Sequence, residues 1–343
     1  MLPPGKKSPT KVNRPSLQPP GEWSPSGALP LHLFLIMYFL PLGLISLAVA
    51  GGLLFPEKLD QFWFVPFLLS ALYLGLPHGA ADWGILRSAV RKNGLRRSSL
   101  LIAGYGILLV GAGTVTLAFP MLGLVVFLTV SAWHFGSADA LDFAKQFGQA
   151  SDPKTLALSS LTRGVLIVAA PFAFRIDDMF SACQLWCGIL GSSFLPGEMT
   201  STLESGARFV IFYALMVVAG QVLRAGALGS WRTGLCQLLE VALLIFLFGV
   251  LHPLFALGTY FLCWHSVRHL SHLRSFQSGS DRPGWLYRLA SPFLIPSLVT
   301  IGIFAFLTGN LLSPSDLTLV LIIFFAIVTP AHQWLIHREV HSV

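Results

Sequence analysis

Long apolar runs with few charged residues constrain this chain more than any other feature of its sequence. Of its 343 residues, 54% are hydrophobic and 11% are charged, whereas soluble domains carry roughly 25% charged residues. So few charges cannot cover a surface that faces water, and the mean hydropathy is +0.72. The sequence therefore predicts an all-α fold, a polytopic integral membrane helix bundle solvated by the lipid bilayer.

Apolar stretches of about 20 residues, the length that crosses a bilayer, recur along the chain. We expect about ten transmembrane helices, at about residues 31–55, 62–86, 98–118, 120–140, 158–175, 206–223, 233–251, 252–273, 287–308 and 316–336. No internal repeat is visible, so residues 31–343 are expected to form a single transmembrane domain. Residues 1–30 are basic and rich in proline, which predicts a disordered N-terminal tail.

The stretch 176–196 is ambiguous, because it could either span the membrane or lie along its surface. If it does not span, the basic loops between the other helices all fall on one side, together with both termini. The positive-inside rule favours this arrangement. We therefore expect a multi-pass protein of the inner cell membrane with cytoplasmic termini. The net charge of +7 comes from basic residues in short clusters between the apolar runs, which is the pattern that orients membrane proteins. These residues do not form one long basic patch, so no nucleic-acid partner is expected.

A group of four histidines comes from three of the predicted spans, where polar side chains are costly and usually face the interior of the bundle. These are His78, His134, His265 and His269. With a rise of about 1.5 Å per residue, the predicted topology places all four within one or two helical turns of the same depth, on three helices. His265 and His269 are four residues apart and share a helix face. The pattern predicts a site for iron, copper, nickel or zinc rather than four separate packing residues.

Three more polar residues lie close to these histidines in the sequence or at a similar depth. His332, in the last span, is interpreted as a fifth member of the group, a hydrogen-bond donor to a ligand or a residue on the substrate side, and not as a metal ligand. His272 is expected to extend towards the cytoplasmic surface. Arg268 is expected on a different helix face from the ligands, reaching the lipid headgroups.

Two carboxylates follow two of the predicted ligands. Asp82 is four residues after His78, where it is either a hydrogen-bond partner of an imidazole or a charged helix end. Asp139 is five residues after His134 and is interpreted as a charged helix end at the membrane surface.

Three blocks of sequence, each containing a histidine, resemble a known family. PHGAAD at 77–82, WHFGSAD at 133–139 and HPLFALGTYFLCWHSVRH at 252–269 are similar to the signature blocks of the Brp/Blh family of membrane β-carotene 15,15'-dioxygenases. The resemblance implies a non-haem Fe2+ cofactor that acts with O2 to cleave the central double bond of β-carotene, giving two molecules of all-trans-retinal. Carried over by position, the catalytic metal ligands would be His78, His134, His265 and His269.

The resemblance also implies β-carotene and O2 as substrates, and a functional link to a retinal-binding rhodopsin. The alternative is a carotenoid- or retinal-binding membrane protein without catalysis that supports rhodopsin assembly. A di-iron desaturase would need several HxxxH motifs within its spans, and His265–His269 is the only one inside a predicted span. A transporter is disfavoured because no inverted repeat is visible.

Overall fold

The computed structural model describes residues 38–147, 152–266, 268, 285–307 and 313–339. These residues contain helices and no strand, which confirms the predicted all-α fold for this part of the chain. In chain order the α-helices of the described residues are α1 (Leu40–Leu54), α2 (Pro56–Gln61), α3 (Val65–Ser70), α4 (Leu76–Ala80), α5 (Asp82–Asn93), α6 (Leu95–Ala118), α7 (Pro120–Gln146), α8 (Pro153–Phe174), α9 (Ile176–Ile189), α10 (Thr200–Ala227), α11 (Trp231–Val250), α12 (Pro253–Tyr260), α13 (Trp285–Leu307) and α14 (Pro314–Glu339).

Within the described residues, six helical stretches are long and apolar enough to cross a membrane, which makes the chain a membrane protein. They are Ser98–Ala118, Pro120–Gln146, Pro153–Phe174, Gly197–Ala227, Trp231–Val250 and Pro314–Arg338. Each overlaps one of the ten predicted spans, but the total of ten is not confirmed and stays a prediction, as does the orientation. Helix α9, in the ambiguous stretch, has 14 residues and is shorter than the length that spans a bilayer.

Two of the predicted spans are broken near their histidines by π-helical turns, which are frequent at functional sites. The turn Ala71–Gly75 joins α3 to α4, and the turn Phe261–His265 follows α12. The first turn ends three residues before His78, and the second ends on His265. Each π turn therefore sets the direction in which a predicted ligand leaves its helix.

Helices α7 and α8 cross in backbone contact at paired glycines. A Cβ atom built on Gly136 would lie 1.9 Å from the carbonyl oxygen of Ser160, and one built on Gly164 would lie 1.7 Å from that of Ala132. Only glycine fits at either position, and small residues are typical of such contacts in membranes. This crossing lies two residues after His134 and fixes the position of that histidine against α8.

Four charged side chains pair inside the bundle. Glu240 on α11 accepts from Arg163 on α8 at 2.6 Å and from Arg268 at 2.7 Å. Arg268 Nε is 3.5 Å from Asp142 Oδ2 on α7. All four side chains are at most 6% exposed, so each buried charge has a partner, as burial requires.

The expectation that Arg268 reaches the headgroups is wrong. Its guanidinium lies over the Trp264 ring at 3.9 Å and is held by the carboxylates on α7 and α11. The sequence could not show this, because the two carboxylates are on other helices.

Candidate metal centre

Three histidines from three helices converge at one point in the bundle. His78 is on α4, His134 on α7 and His332 on α14. One ring nitrogen from each lies within 4.8 Å of the others, and the Nε2 atoms of His78 and His332 are 3.0 Å apart. This is the close grouping of nitrogen donors that a metal ion requires.

His265 lies directly beside this group. Its ring centroid is 5.0 Å from that of His134 and 6.5 Å from that of His78, and the residue is 1% exposed. The structure thus brings together three of the four predicted ligands. His269, the fourth, lies outside the described residues, as does His272.

His332 is held in one tautomer by Asp82. Its Nδ1 is 2.7 Å from Asp82 Oδ1, and Tyr105 donates its hydroxyl hydrogen to Asp82 Oδ2 at 3.1 Å. A carboxylate accepts hydrogen bonds, so the ring proton of His332 sits on Nδ1 and the lone pair of Nε2 faces His78. Of the two roles left open for Asp82, the structure places it as a partner of an imidazole, that of His332 rather than His78.

His134 is oriented in the same way by a different group. Its Nδ1 is 2.5 Å from Oε1 of Gln333, a carbonyl-type oxygen that can only accept. The ring proton is therefore on Nδ1, and the lone pair of Nε2 is available to a metal. Gln333 is 8% exposed and follows His332 directly. Helix α14 therefore provides one candidate ligand, His332, and the hydrogen-bond acceptor that orients a second one, His134.

The donor set and its spacing fit a divalent first-row metal ion. Two nitrogens that bind one ion at about 2.1 Å and at right angles lie about 3.0 Å from each other. The Nε2 atoms of His78 and His332 have this separation. Neutral imidazoles suit iron, copper, nickel and zinc, and hydrogen-bonded partners that fix the tautomer are the usual support of histidine ligands.

Asp139 is not at the membrane surface, and that prediction is wrong. The residue is 0% exposed, and its Oδ2 accepts from the Tyr260 hydroxyl at 3.0 Å and from the Trp264 indole at 3.1 Å. Tyr260 directly precedes the π turn that carries His265, and Trp264 lies within it. Asp139 therefore ties that turn to α7. The helix on which Asp139 lies continues to Gln146, so the carboxylate is well inside its end.

An apolar cavity of about 1080 Å3, counting the part open to the outside, begins at the histidines. His78, His134 and His332 line one end, and Phe67, Met179 and Pro253 are among the residues that line the rest. Phe67 precedes His78 by eleven residues of nearly continuous helix, which corresponds to roughly 16 Å along the axis. The cavity is thus long enough to hold an extended apolar chain with one end against the imidazoles.

The sequence profile of a family described as beta-carotene 15,15'-dioxygenase matches residues 69–338 of the chain. The chain belongs to the β-carotene 15,15'-dioxygenase family. The match includes all the predicted ligands and confirms the resemblance drawn from the three histidine blocks. It also includes α14 as far as Arg338, so His332 and Gln333 lie within the family's region.

Relatives in Halobacterium salinarum carry names of the same kind. The chain is 29% identical over 218 residues to the probable β-carotene 15,15'-dioxygenase Blh, covering 61% of each protein. It is 25% identical over 214 residues to the probable β-carotene 15,15'-dioxygenase Brp, covering 60% of this chain and 57% of Brp. The match thus spans about three fifths of the length of these relatives. No solved structure matches the chain significantly.

Two residues of this β-carotene 15,15'-dioxygenase family member have positions that the sequence does not predict. His332 is expected near the site but not as a metal ligand, and no role is expected for Gln333. The available signal was a pair of adjacent polar residues inside the predicted C-terminal span, since such residues usually face the bundle interior.

Proposed function

We propose that this protein is an Fe2+-dependent dioxygenase that cleaves the central 15,15' double bond of β-carotene with O2 and releases two molecules of all-trans-retinal. The observation that carries the proposal is the close group His78, His134 and His332 at one end of an apolar cavity. A metal site that opens into an apolar space suits a hydrocarbon substrate. Membership of the β-carotene 15,15'-dioxygenase family supports the same reaction.

The imidazoles of His78, His134 and His332 would hold the ion. His265 lies next to them and keeps its proposed role as a ligand, and so does His269 from the sequence. All these donors are neutral, so the ion would keep its full 2+ charge. When bound, the iron supplies the activation of O2.

Asp82 and Gln333 act as positioning residues in this proposal. Each holds a proton on the Nδ1 atom of a ligand, Asp82 on His332 and Gln333 on His134. The far nitrogen of each ring is then fixed in direction and made more basic. Because both supports are buried, water does not compete for these hydrogen bonds.

The chain's remaining task is to place the substrate and to exclude water. The reaction needs no general acid or base, because one C=C bond and one O2 become two C=O bonds without loss or gain of a proton. The apolar cavity walls hold one arm of the polyene and bring its central bond to the imidazoles, which replaces a random encounter by a fixed orientation. The same walls keep water from the reacting atoms.

The membrane is the source of the substrate in this proposal, since β-carotene is insoluble in water. The product would then pass to a retinal-binding rhodopsin, which is the partner expected from the sequence.

Metal dependence of product formation tests the function. Detergent-purified protein would be stripped of metal, reloaded anaerobically with Fe2+, mixed with β-carotene and air, and analysed by chromatography. We expect retinal from the iron-loaded protein and none from the metal-free protein or from His134→Ala. The variant His337→Ala, which changes an exposed histidine of α14, should behave as the unchanged protein.

Iron bound with β-carotene unchanged would contradict the proposal and favour the non-catalytic carotenoid-binding alternative. Equal retinal formation with and without metal would contradict the iron-dependent mechanism.

A further inference from the structure

The hydroxyl groups that line the cavity differ in their hydrogen bonding. Ser70 Oγ donates to the Phe67 carbonyl at 2.8 Å, and Thr329 Oγ1 donates to the Phe325 carbonyl at 2.6 Å. Ser131 also lines the cavity, but its buried Oγ has no hydrogen-bond partner among the described residues. An unpaired buried hydroxyl is costly and rare, so Ser131 is a candidate for binding a ligand that enters the cavity.

Ser131 lies near the metal end of the cavity. It precedes His134 by three residues on α7, so both side chains lie on the same helix face, about 4.5 Å apart along the axis. Ser131 is 3% exposed. Gly79, which follows His78, also lines the cavity, and no atom lies within 4 Å of the position a Cβ would occupy there. A small polar group next to the imidazoles therefore has both space and a hydrogen-bond donor.

The chemistry of the proposed reaction, on which this inference rests, identifies the polar group. β-Carotene is a hydrocarbon and has no acceptor for the Ser131 hydroxyl. Cleavage breaks the central C=C bond, and each of its two carbons takes one oxygen atom from O2 and becomes an aldehyde. The half that lies in the cavity then has its new C=O group at the histidine end and its ring at the far end.

We propose that the Ser131 hydroxyl donates a hydrogen bond to the carbonyl oxygen of retinal, which makes this cavity a binding site for a long polyene aldehyde. The site distinguishes product from substrate, because the hydrogen bond can form only after the double bond is cut. The enzyme thus retains one aldehyde after cleavage, with its carbonyl held one helical turn from His134.

Ligand binding to iron-loaded protein under argon tests this inference without turnover. All-trans-retinal and the hydrocarbon in which a methyl group replaces its aldehyde would each be titrated into micellar protein, following quenching of tryptophan fluorescence. Protein-free micelles correct for partitioning. We expect Ser131→Ala to weaken retinal binding about threefold to tenfold, the effect of one hydrogen bond, and to leave hydrocarbon binding unchanged.

Thr129→Val is the matched control. It removes a hydroxyl from the same helix, but Thr129 is exposed and donates to the Val125 carbonyl of α7 at 2.8 Å. Neither ligand should bind this variant differently. An equal loss of both ligands in Ser131→Ala, or no loss of retinal, would overturn the inference.

The infrared C=O stretch of retinal bound to the unchanged protein gives a second readout that does not depend on the folding of a variant. A hydrogen-bonded carbonyl absorbs at lower frequency than retinal in alkane, and an unshifted band would overturn the inference. Failure of the proposed function can be told apart from failure of this inference. If only the function fails, the iron-loaded protein leaves β-carotene uncut, but retinal still binds in a way that depends on Ser131.

Discussion

Replacing Asp82 by asparagine should weaken metal binding while leaving the shape of the site almost unchanged. In the protein the carboxylate accepts from His332 Nδ1 at 2.7 Å and from the Tyr105 hydroxyl at 3.1 Å. An amide can still accept one of these hydrogen bonds, but it lacks the negative charge that strengthens both. The Nε2 atom of His332 is then less basic and less firmly aimed at the ion.

The size of this effect follows from the role of Asp82. Loss of the group that orients a histidine ligand costs about 10-fold to 100-fold in metal affinity, or about 1.4–2.7 kcal/mol. Asp82 is 2% exposed, so water does not replace the missing charge, and we expect a loss in the upper half of this range. Tyr105→Phe should cost less, because it removes one hydrogen bond to Asp82 and leaves the His332 contact in place.

A chelator competition under argon measures the change. Metal-free protein in detergent would be titrated with Fe2+ in the presence of a coloured chelator of known affinity. Asp152→Asn is the control, because Asp152 is exposed and caps α8 through the backbone amides of Lys154 and Thr155, outside the site. An unchanged affinity in Asp82→Asn would refute the reasoning that Asp82 supports a metal ligand.

Further substitutions test packing, buried charge and cavity volume. Gly136→Ala should destabilise the bundle by roughly 1–3 kcal/mol or more, because its Cβ would meet the Ser160 carbonyl at 1.9 Å; thermal unfolding in detergent measures this. Glu240→Ala leaves two buried arginines without their shared partner and should cost roughly 3–5 kcal/mol in the same assay. Gly79→Leu should fill the cavity beside the histidines and lower turnover of β-carotene with little change in unfolding. Removing iron that is present at about 100 times its Kd should lower the free energy of unfolding by about 2.7 kcal/mol.

Each of these predictions has a contrasting case. Gly106→Ala, where no atom lies within 4 Å of the added Cβ, should leave stability nearly unchanged, and an equal loss there would contradict the packing argument. Full stability of Glu240→Ala would show that the paired charges are not needed. Unchanged turnover of Gly79→Leu would place the substrate outside this cavity, and an unfolding temperature insensitive to iron would contradict a folded-state metal site.

The histidine group could be found from sequence because depth in a membrane is readable. Apolar runs fix where a span begins and ends, and the residue count then gives the depth of each polar side chain. Depth alone predicts that His78, His134 and His265 lie close together. The depth of a residue depends on the length of its span rather than on the regularity of the helix, so the π turns in two of the spans do not change it.

Partners across the bundle could not be found in the same way. Asp139 and Arg268 were placed near the surface because charged residues within a few residues of a predicted helix end usually lie there. In the structure, Asp139 accepts a hydrogen bond from Trp264, which is 125 residues away in sequence. Arg268 donates to Glu240 on α11. Their positions follow from how helices face one another, and apolar periodicity says little about that when all sides of a helix are apolar.

For His332, too, the sequence predicts the depth in the membrane but not the hydrogen-bond partner. Its depth was correctly matched to the ligands, but its role depends on Asp82, which is 250 residues away. Only the contact between α14 and the start of α5 reveals that its Nε2 faces His78. A buried carboxylate that fixes a tautomer is thus the structural signal that moves His332 into the candidate site.

The yield of retinal per β-carotene consumed by the iron-loaded protein tests the central proposal most directly. Central cleavage by a dioxygenase predicts two molecules of all-trans-retinal for each β-carotene, with no other apocarotenoid, and no product when iron is absent. Products of unequal length, or consumption of β-carotene without retinal, would contradict central cleavage at this histidine site.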